Sequence, residues 1–404
     1  MKALHFADPH SNNKDIEEIE KSFIYIVEQA EKIKPDIIIF SGDLFNSRNI
    51  ELDSKAVKLV FRIFSRLCMI APVHVVIGTP SHDGKAAEVL RHIKGKYNIW
   101  VSEKPEQLYL LHDQICPVGE DDYPSSILAV ISAIPAPTKQ HFQTDSGVAE
   151  SDEEIANAMS NIFSGFGASA SQIKAPHIIN GHFQIGSALI SETQILTGRD
   201  IEISQDQISL ANADLVCLGH IHYPQQIGKN IFYAGSIYRK TWGEMEEKGF
   251  YVHKVIGGFL PESTFLEIPT RKLIKFELDL TPSGAMDDRN EMITSFVVNN
   301  QNDLKDSKLK CVFTLFRDDR ARINKKVIED GFINYGVNSV SIDLVLLPRE
   351  NVRSQDFLKL ETLAEKLEEQ AKIKDWDIPE GVIEKAELLE SKSSEDIIKN
   401  IIHD

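Results

Sequence analysis

Five short motifs of the chain carry side chains of the kind that bind divalent metal ions. In chain order they are Asp8-Pro9-His10, Gly42-Asp43, Gly78-Thr79-Pro80-Ser81-His82-Asp83, Gly181-His182 and Gly219-His220-Ile221-His222. Carboxylate oxygen and imidazole nitrogen suit Mn²⁺, Fe²⁺ or Zn²⁺ better than Ca²⁺. Each motif follows a segment that predicts a β-strand, and in open α/β sheets ligands bind beyond the carboxyl ends of the strands. The five motifs together therefore predict a metal site at one edge of a sheet.

The segments that must position these motifs alternate between strand and helix patterns. Apolar residues at helical spacing predict helices over 16–33 and 56–67, and β-branched or apolar runs predict strands. The strands are predicted over 3–7, 37–40, 73–77, 115–116, 127–134, 177–179 and 215–218, and surface loops over 138–151 and 164–175. Strand and helix in alternation imply right-handed crossovers and a parallel sheet covered on both faces.

The pattern changes after Ile268. Strands are predicted over 272–280, 311–316 and 340–347 and helices over 291–298 and 323–335, which is the size of an independent α/β unit. A helical tail follows Arg349. Its apolar stripes are Phe357, Leu360, Ala364, Leu367 and Ala371, then Val382, Ile383, Ala386 and Leu389 after Pro379, with a last short helix near Ser394. We therefore predict domains over 1–269 and 270–350 and a tail over 351–404.

Composition limits the cellular setting and the partners. The 404 residues carry a formal net charge of −17, so the chain should repel nucleic acid at long range unless bound cations reverse the local field. Residues 351–404 hold eight Lys or Arg against fourteen Asp or Glu, residues 271–350 hold thirteen of each, and the remaining −11 lies in residues 1–270.

No run of eighteen apolar residues occurs, so no membrane segment is predicted. Four cysteines without CxxC spacing predict free thiols in a reducing cytoplasm.

The motif series D-x-H, G-D, G…H-D, G-H and G-H-x-H over residues 1–222 resembles that of the calcineurin-like metallophosphoesterases. The stretch from Tyr233 to Phe250 is similar to the G-S-x-x-R…G-E…K-G-F segment that closes the nuclease domain of SbcD-type DNA-repair nucleases. That subgroup also has a small α/β capping domain followed by C-terminal helices. The resemblance implies an α/β fold: a layered metallophosphoesterase β-sandwich flanked by helices, a DNA-binding capping domain and a helical partner-binding tail.

The resemblance also implies a role for each motif residue. One ion would be held by Asp8, His10, Asp43 and His222, and a second by Asp43, His182 and His220. Two divalent ions, Mn²⁺ with Mg²⁺ as the alternative, would polarise a phosphodiester and activate water. His82 would stabilise the transition state or protonate the leaving oxygen, and Asp83 would set its tautomer and raise its pKa.

Two positions depart from the family pattern. Ser81 stands before His82, where relatives carry an asparagine whose carbonyl ligates the second ion. A hydroxyl is a poorer ligand than an amide oxygen, so we expect the second ion to bind more weakly. Asn46 stands where relatives often carry a histidine that assists the processing of duplex ends. We therefore expect altered exonuclease action.

The leading functional hypothesis is a homodimeric, metal-dependent DNA exonuclease or endonuclease that acts in repair, recombination or replication with an SbcC-like coiled-coil ATPase. Arg239 and Lys240, with Asn46, are the predicted DNA contacts. The tail is expected to bind the partner's coiled coil or to pack on its own capping domain. Two alternatives stay open: a small-molecule phosphodiesterase or phosphatase of the same fold, and a non-catalytic scaffold.

Overall fold

The computed structural model describes residues 1–119, 126–137, 143–144, 147–148, 152–192, 194, 201–348, 360–374, 376–379 and 381–392. The strands are β1 (Lys2–Phe6), β2 (Ile37–Phe40), β3 (Val73–Val76), β4 (Ile99–Ser102), β5 (Glu106–Leu110), β6 (Ile115–Pro117), β7 (Ala129–Ile134), β8 (Gln143–Thr144), β9 (Gly147–Val148), β10 (His177–His182), β11 (Leu215–Gly219), β12 (Gln225–Ile227), β13 (Ile231–Tyr233), β14 (Gly249–Lys254), β15 (Glu262–Glu267), β16 (Leu273–Asp279), β17 (Lys308–Phe316) and β18 (Ser339–Leu347). The α-helices are α1 (Ile16–Ile33), α2 (Lys55–Leu67), α3 (Lys85–Glu88), α4 (Asp152–Ala170), α5 (Gln205–Ser209), α6 (Ala285–Asn299), α7 (Gln301–Leu304), α8 (Lys325–Asn334), α9 (Leu363–Lys374) and α10 (Val382–Ser391).

Two large sheets form the centre of the fold. The first has the order β15-β14-β1-β2-β3-β4, in which β1 to β4 are parallel and β14 and β15 are antiparallel additions. The second has the order β12-β13-β11-β10-β7-β5-β6, with β7, β10, β11 and β13 parallel. The parallel strands of each sheet therefore deliver the loops that follow them to one edge of that sheet.

Alternating side chains divide the core into three layers. Along β2, Ile38 and Phe40 pack under α1 and α2, whereas Ile37 and Ile39 point to the second sheet. The core between the sheets also contains Ile178 and other apolar residues of the second sheet. The opposite face of that sheet is covered by α4 and α5. Because successive residues of a strand face opposite sides, strands buried on both faces read as continuous apolar runs. The layering confirms the predicted β-sandwich flanked by helices.

Most of the predicted elements in the first 270 residues are present. The predicted bounds of 16–33 and 37–40 are confirmed, and the other predicted strands and α2 are shifted by a few residues at most. The strands β4, β5 and β12 to β15 were not predicted. All four cysteines are free, as expected.

The prediction of a loop over 164–175 was wrong for residues 164–170, because α4 continues to Ala170, whereas residues 171–175 form the expected loop. One glycine of this helix segment lies in a close contact with the turn that follows α5. A Cβ atom on Gly167 would come 2.7 Å from the carbonyl oxygen of Leu210 and 2.9 Å from that of Ala211. Gly167 therefore allows close packing at this contact, and it does not end the helix. The other predicted loop, 138–151, falls largely outside the described residues, and β8 and β9 form a small two-stranded sheet within it.

The later part of the chain has strands and helices as predicted. The strands β16, β17 and β18 form a sheet in that order, and burial alternates strictly along β17. The chain divides into two compact units, one of Met1–Phe276, Asn290–Val312 and Lys325–Asp343, the other of Glu277–Arg289, Phe313–Asn324 and Leu344–Asp404. The predicted boundary at 269/270 stays a prediction, and the one at 350/351 lies outside the described residues.

Two helices, α9 and α10, form the described part of the tail. They contact each other and bury Ala364, Ala371 and Ala386, which belong to the predicted stripes. Phe357 and the helix expected near Ser394 lie outside the described residues. No helix in the described ranges is long and apolar enough to cross a membrane.

Two buried histidines of the core make stability depend on pH. His74 lies between Ser102 and Asn180, and burial lowers its pKa to about 3. Burial likewise lowers the pKa of His177 to about 4. The unfolded chain takes up protons on both below pH 6.5 while the folded chain does not, so we expect stability to fall as pH drops from 6.5 towards 4. At pH 5.5 each of these histidines should lower the free energy of unfolding by about 1.4 kcal/mol.

The test compares urea unfolding at pH 7.5 and 5.5. His74→Asn cannot titrate and should show a difference between the two pH values smaller than that of the wild type by about 1.4 kcal/mol. His92→Asn, which removes an exposed imidazole, is the matched control and should behave as wild type. An unchanged difference in His74→Asn would show that this histidine does not carry the effect.

Candidate metal centre

The predicted metal motifs meet where loops of the two sheets converge. Asp8 and His10 follow β1, Asp43 follows β2, and His220 follows β11. The first two loops are tied by backbone bonds from Asp8 N to Gly42 O and from His10 N to Asp43 O, both 3.1 Å. Left-handed backbone occurs at these non-glycine positions, with φ of 52° at Asp8, 40° at His10, 56° at Asp43 and 91° at His220. Such conformations are costly outside glycine and concentrate at functional sites.

Glycine is required where these loops touch. A Cβ atom on Gly42 would lie 2.5 Å from His182 Nδ1, and one on Gly78 would lie 2.1 Å from Asp43 N. No side chain fits in either place. The two glycines therefore let the loops of both sheets close on Asp43.

One group of potential ligands consists of Asp43, His182 and His220. Asp43 and His182 are buried and His220 is partly exposed, and each offers a ligand atom within 4.8 Å of the others. His182 Nδ1 donates to the Ser41 carbonyl at 2.7 Å, which leaves Nε2 at 3.3 Å from Asp43 Oδ1. Burial would lower the pKa of His182, but Asp43 and Asp8 raise it to about 9. This anionic environment would equally stabilise a metal cation.

A second group shares Asp43 with the first. His10, Asp43 and His82 offer ligand atoms within 4.8 Å of one another. His10 Nε2 also lies 2.9 Å from His222 Nε2. Burial lowers the pKa of both His10 and His222, so the two imidazoles are neutral and turn ring nitrogens towards one point. That is the arrangement of two nitrogen ligands around a cation.

Asp8 and Asp43 have different electrostatic surroundings. Burial raises the pKa of Asp8 well above its usual range, although its carboxylate accepts from the His220 backbone N–H at 3.0 and 3.1 Å. Burial acts in the same direction on Asp43, but His182 overrides it and holds that pKa well below its usual range. Asp43, the residue common to both ligand groups, is thus the stable anion of the centre.

A buried ion pair orients His222. Its Nδ1 donates to Glu244 Oε1 at 2.9 Å, and Glu244 Oε2 pairs with Lys248 Nζ at 2.9 Å. Lys248 also donates to the His222 carbonyl at 3.1 Å. Burial would raise the pKa of Glu244, but His222 and Lys248 lower it to about 2. The charged Glu244 therefore fixes the tautomer of His222 with Nε2 directed at His10.

The surroundings of His82 and Asp83 differ from those expected. His82 is partly exposed, and its Nδ1 bonds to the Asn46 carbonyl at 3.0 Å. The Asp83 carboxylate instead accepts from the backbone N–H groups of Phe45 and Gly78. Burial and the nearby Asp43 raise the pKa of Asp83 to about 7. The Asn46 carbonyl, rather than Asp83, therefore sets the His82 tautomer, and Asp83 holds the loop.

Thr79, two residues before Ser81, contacts the first group of potential ligands, and the role of Ser81 as a ligand stays a prediction. Its backbone N–H donates to Asp43 Oδ1 at 2.6 Å, and its hydroxyl lies 3.3 Å from Asp43 Oδ2 and 3.2 Å from His182 Nε2. Ser81 is exposed, and its carbonyl accepts from the Arg48 backbone. The loop contains two hydroxyls, and only its fold shows which of them contacts the ligand group.

Two of the three residues predicted to contact DNA, Asn46 and Lys240, are bonded through their backbone to residues of the centre, His82 and Glu244. The Asn46 side chain is exposed, and Arg239 and Lys240 are half-buried. Arg239 Nη1 donates to Thr270 Oγ1 at 2.5 Å, and the Lys240 backbone donates to Glu244 Oε2 at 3.1 Å. The last bond connects the Arg239-Lys240 segment directly to the ion pair that orients His222.

A third group of potential ligands, His5, Cys217 and His253, lies between the two sheets and is fully buried. His253 stacks on Tyr251 at 5.5 Å between ring centroids and contacts Phe232 at 4.8 Å. Burial lowers its pKa to about 3. These are the properties of neutral histidines packed in an apolar core.

Sequence reasoning missed the roles of Thr79, Glu244 and Lys248. Glu244 and Lys248 belong to a stretch that carried the family resemblance, but neither received a function. Their spacing of four residues was the one signal that could have paired them. Thr79 had no such signal apart from its neighbour Gly78.

One protein family and two curated proteins are similar to the chain in sequence. Residues 1–130 match the model of the calcineurin-like phosphoesterase family. The SbcD subunit of nuclease SbcCD from Staphylococcus epidermidis is 26% identical over 288 residues, which cover 69% of this chain and 73% of that protein. The protein of the same name from Staphylococcus saprophyticus is 25% identical over 279 residues, covering 65% and 69%.

Solved structures also resemble the chain. GAP50, described as the anchor in the inner membrane complex of Plasmodium, has a TM-score of 0.43 and 16% identity over 67% of this chain and 85% of its own. A dimetal phosphatase from Danio rerio has a TM-score of 0.36 and 9% identity over 66% of this chain and 98% of its own.

Proposed function

Because residues 1–130 match the calcineurin-like phosphoesterase family, we propose that the chain is a metal-dependent DNA nuclease. The observation that carries the proposal is that Asp43 is common to two groups of metal ligands at one edge of the sandwich. The two Staphylococcus relatives, both named as part of a nuclease, support a nucleic acid as the substrate, and the resemblance to DNA-repair nucleases favours DNA. The reaction is hydrolysis of a phosphodiester bond.

The donor set fits two divalent cations. Carboxylate and imidazole ligands converge from both sheets, and a shared carboxylate between two cations reduces their mutual repulsion. In this assignment Asp8, His10, Asp43 and His222 would hold one ion, and Asp43, His182 and His220 would hold the other. Two bound ions would polarise the phosphodiester and activate water near neutral pH. We favour Mn²⁺, with Mg²⁺ as the alternative.

The chain's own residues orient the substrate and move the proton. His82 Nδ1 is engaged with the Asn46 carbonyl, so Nε2 is the nitrogen that can meet the substrate. The His82 ring packs edge-on against His10 with centroids 4.5 Å apart. We assign His82 to stabilise the transition state or to donate a proton to the leaving oxygen. Arg239 and Lys240, with Asn46, would contact the DNA.

The partner of the proposed nuclease is an SbcC-like coiled-coil ATPase, and its own assembly is a homodimer. The relatives' name, which describes one component of a larger nuclease, supports the partner. Exposed apolar side chains on the tail, Trp376 and Leu389, offer a surface for it. Co-purification of the ATPase with the full chain, but not with a chain ending near Arg349, would support this assignment. Equal recovery with both chains would contradict it.

The function is tested by Mn²⁺-dependent cleavage of linear and hairpin-ended DNA, with His82→Ala as the inactive control. Cleavage by the wild type that disappears with chelator or in His82→Ala supports the proposal. Turnover of bis-nitrophenyl phosphate without cleavage of DNA would favour a small-molecule phosphodiesterase. Turnover of neither substrate would favour a scaffold.

Thr79 is expected to determine the affinity for the second ion. Its hydroxyl lies beside Asp43 and His182, and an amide oxygen is a better ligand than a neutral hydroxyl. We expect Thr79→Asn to strengthen binding of the second Mn²⁺ roughly tenfold and Thr79→Val to weaken it by a similar factor. Isothermal titration with Mn²⁺ measures both.

Ser81→Ala is the matched control, since it removes the other hydroxyl of the same loop. It should leave the second Mn²⁺ affinity unchanged because Ser81 is exposed. If Ser81→Ala weakened binding of the second Mn²⁺ and Thr79→Val did not, Ser81 would be the ligand, as predicted from the sequence.

A further inference from the structure

A cavity of about 220 Å³ is lined by the loop after β1, the segment from Arg239 to Trp242 and residues of β16, β17 and β18. We call it the basic cavity. Four of its lining side chains are cationic, Lys14, Arg239, Lys240 and Lys308, one is anionic, Asp15, and one is the indole of Trp242. In a chain with a net charge of −17, such a concentration of positive charge is unusual.

Most of these cations lack a carboxylate partner. Among the described residues no carboxylate oxygen lies within ion-pair distance of Lys14, Arg239 or Lys240, and Lys308 Nζ is 3.8 Å from Asp15 Oδ1. The Arg239 Nε is buried and has no hydrogen-bond partner in the described part of the chain. A buried donor without a partner is costly, and a phosphate oxygen in the cavity would supply the acceptor.

Lys240 connects the cavity to the metal centre. Its backbone N–H donates to Glu244 Oε2 at 3.1 Å, and Glu244 Oε1 accepts from His222 Nδ1 at 2.9 Å. Asp15, which also lines the cavity, donates its backbone N–H to Asn12 Oδ1 at 2.8 Å, and the Asn12 amide donates to the His10 carbonyl at 3.0 Å. A ligand in the basic cavity is thus a close neighbour of the group that binds the ions.

The size and lining of the cavity define the ligand. Its volume is below the roughly 300–1,000 Å³ of pockets that hold free small molecules, so it suits one phosphate-bearing segment of a longer chain. Lysine and arginine contact backbone phosphates, and an indole offers a surface on which an unpaired base can stack.

We propose that the basic cavity binds a backbone phosphate of the DNA strand whose neighbouring phosphodiester lies at the metal centre. This inference rests on the proposed nuclease function. Lys14, Lys308 and Arg239 hold the phosphate, and Trp242 stacks on the adjoining base. The cavity would thereby fix the position of the strand relative to the bond that is cleaved.

Binding of a phosphorothioate single strand to the full chain, measured with Mn²⁺ over a series of salt concentrations, tests the proposal. We expect Lys14→Ala combined with Lys308→Ala to reduce the slope of log affinity against log salt by about one. Trp242→Ala should weaken binding roughly fivefold or more with little change in slope. Thermal melting checks the fold, and glutamine replaces alanine at both lysines if the double variant melts early.

Lys272→Ala provides the matched control. Lys272 lines a neighbouring cavity that shares Arg239 and Leu273, but its ammonium is paired with Asp303 at 2.5 Å. It should keep the wild-type slope. An equal loss in Lys272→Ala and in the double lysine variant, or no loss in either, would overturn the proposal.

Two further outcomes separate this inference from the proposed function. If the wild type cleaves DNA but the double lysine variant binds the strand with an unchanged slope, the proposed role of the basic cavity is wrong and the proposed nuclease function is kept. If the wild type neither binds nor cleaves DNA, both fail. Inorganic phosphate is titrated in parallel, and loss of phosphate binding in the variant without a change in the DNA slope would overturn the assignment to the strand.

Discussion

Asp43→Asn is expected to abolish tight binding of both metal ions and to lower kcat/KM for DNA cleavage on the order of 10³-fold or more. The substitution keeps the shape of the side chain but removes the one anion that belongs to both ligand groups. His182 holds the pKa of Asp43 low, so this carboxylate is charged over the whole working range. Mn²⁺ titration and steady-state kinetics measure the two effects.

The control for this variant is Asp53→Asn, which removes the same charge from an exposed position further along the same segment. It should bind two ions and cleave DNA as the wild type does. Two ions bound with wild-type affinity in Asp43→Asn would show that Asp43 is not shared between them.

Glu244→Gln is expected to lower the Mn²⁺ affinity of the site containing His222 by roughly 10- to 100-fold. Gln is neutral, so the 2.9 Å hydrogen bond from His222 Nδ1 would no longer go to a charged group. The imidazole of His222 would therefore be held less firmly in its orientation. Lys248→Met leaves Glu244 without its buried cation and should destabilise the fold by roughly 3–5 kcal/mol. Metal titration and urea unfolding separate the two consequences.

Glu246→Gln is the matched control for both variants. Glu246 Oε1 pairs with Lys248 Nζ at 2.7 Å but has no described contact with His222. This variant should lose some stability and keep its metal affinity. A similar loss of metal affinity in Glu244→Gln and Glu246→Gln would indicate that the effect comes from stability alone and not from orientation of His222.

The sequence predicted the central architecture because local patterns determine it. Residues 16–33 show their helical spacing directly, and the β-branched run of 37–40 is buried on both faces. The antiparallel strands β14 and β15 were missed, since β15 lies at the sheet edge with mixed burial and has no continuous apolar run. The small and polar residues of 164–170 were predicted as loop but continue α4, because close helix packing and loops both favour small residues.

The candidate site could be predicted less completely. The structure brings Asp8, His10, Asp43, His182, His220 and His222 together because they lie at strand ends and the strand ends of both sheets converge. Their role as metal ligands stays a prediction. Contacts between side chains of distant segments have no comparable pattern. The choice of Thr79 over Ser81, the bond of His82 to the Asn46 carbonyl and the Glu244–Lys248 pair all depend on how the loops fold against each other.

The most direct test of the two-ion centre is anomalous diffraction from crystals grown with Mn²⁺. We expect two peaks roughly 3.5–4 Å apart, with Asp43 between them, His10 and His222 on one and His182 and His220 on the other. A single peak, or two peaks that do not share Asp43, would contradict a two-ion centre built on this carboxylate.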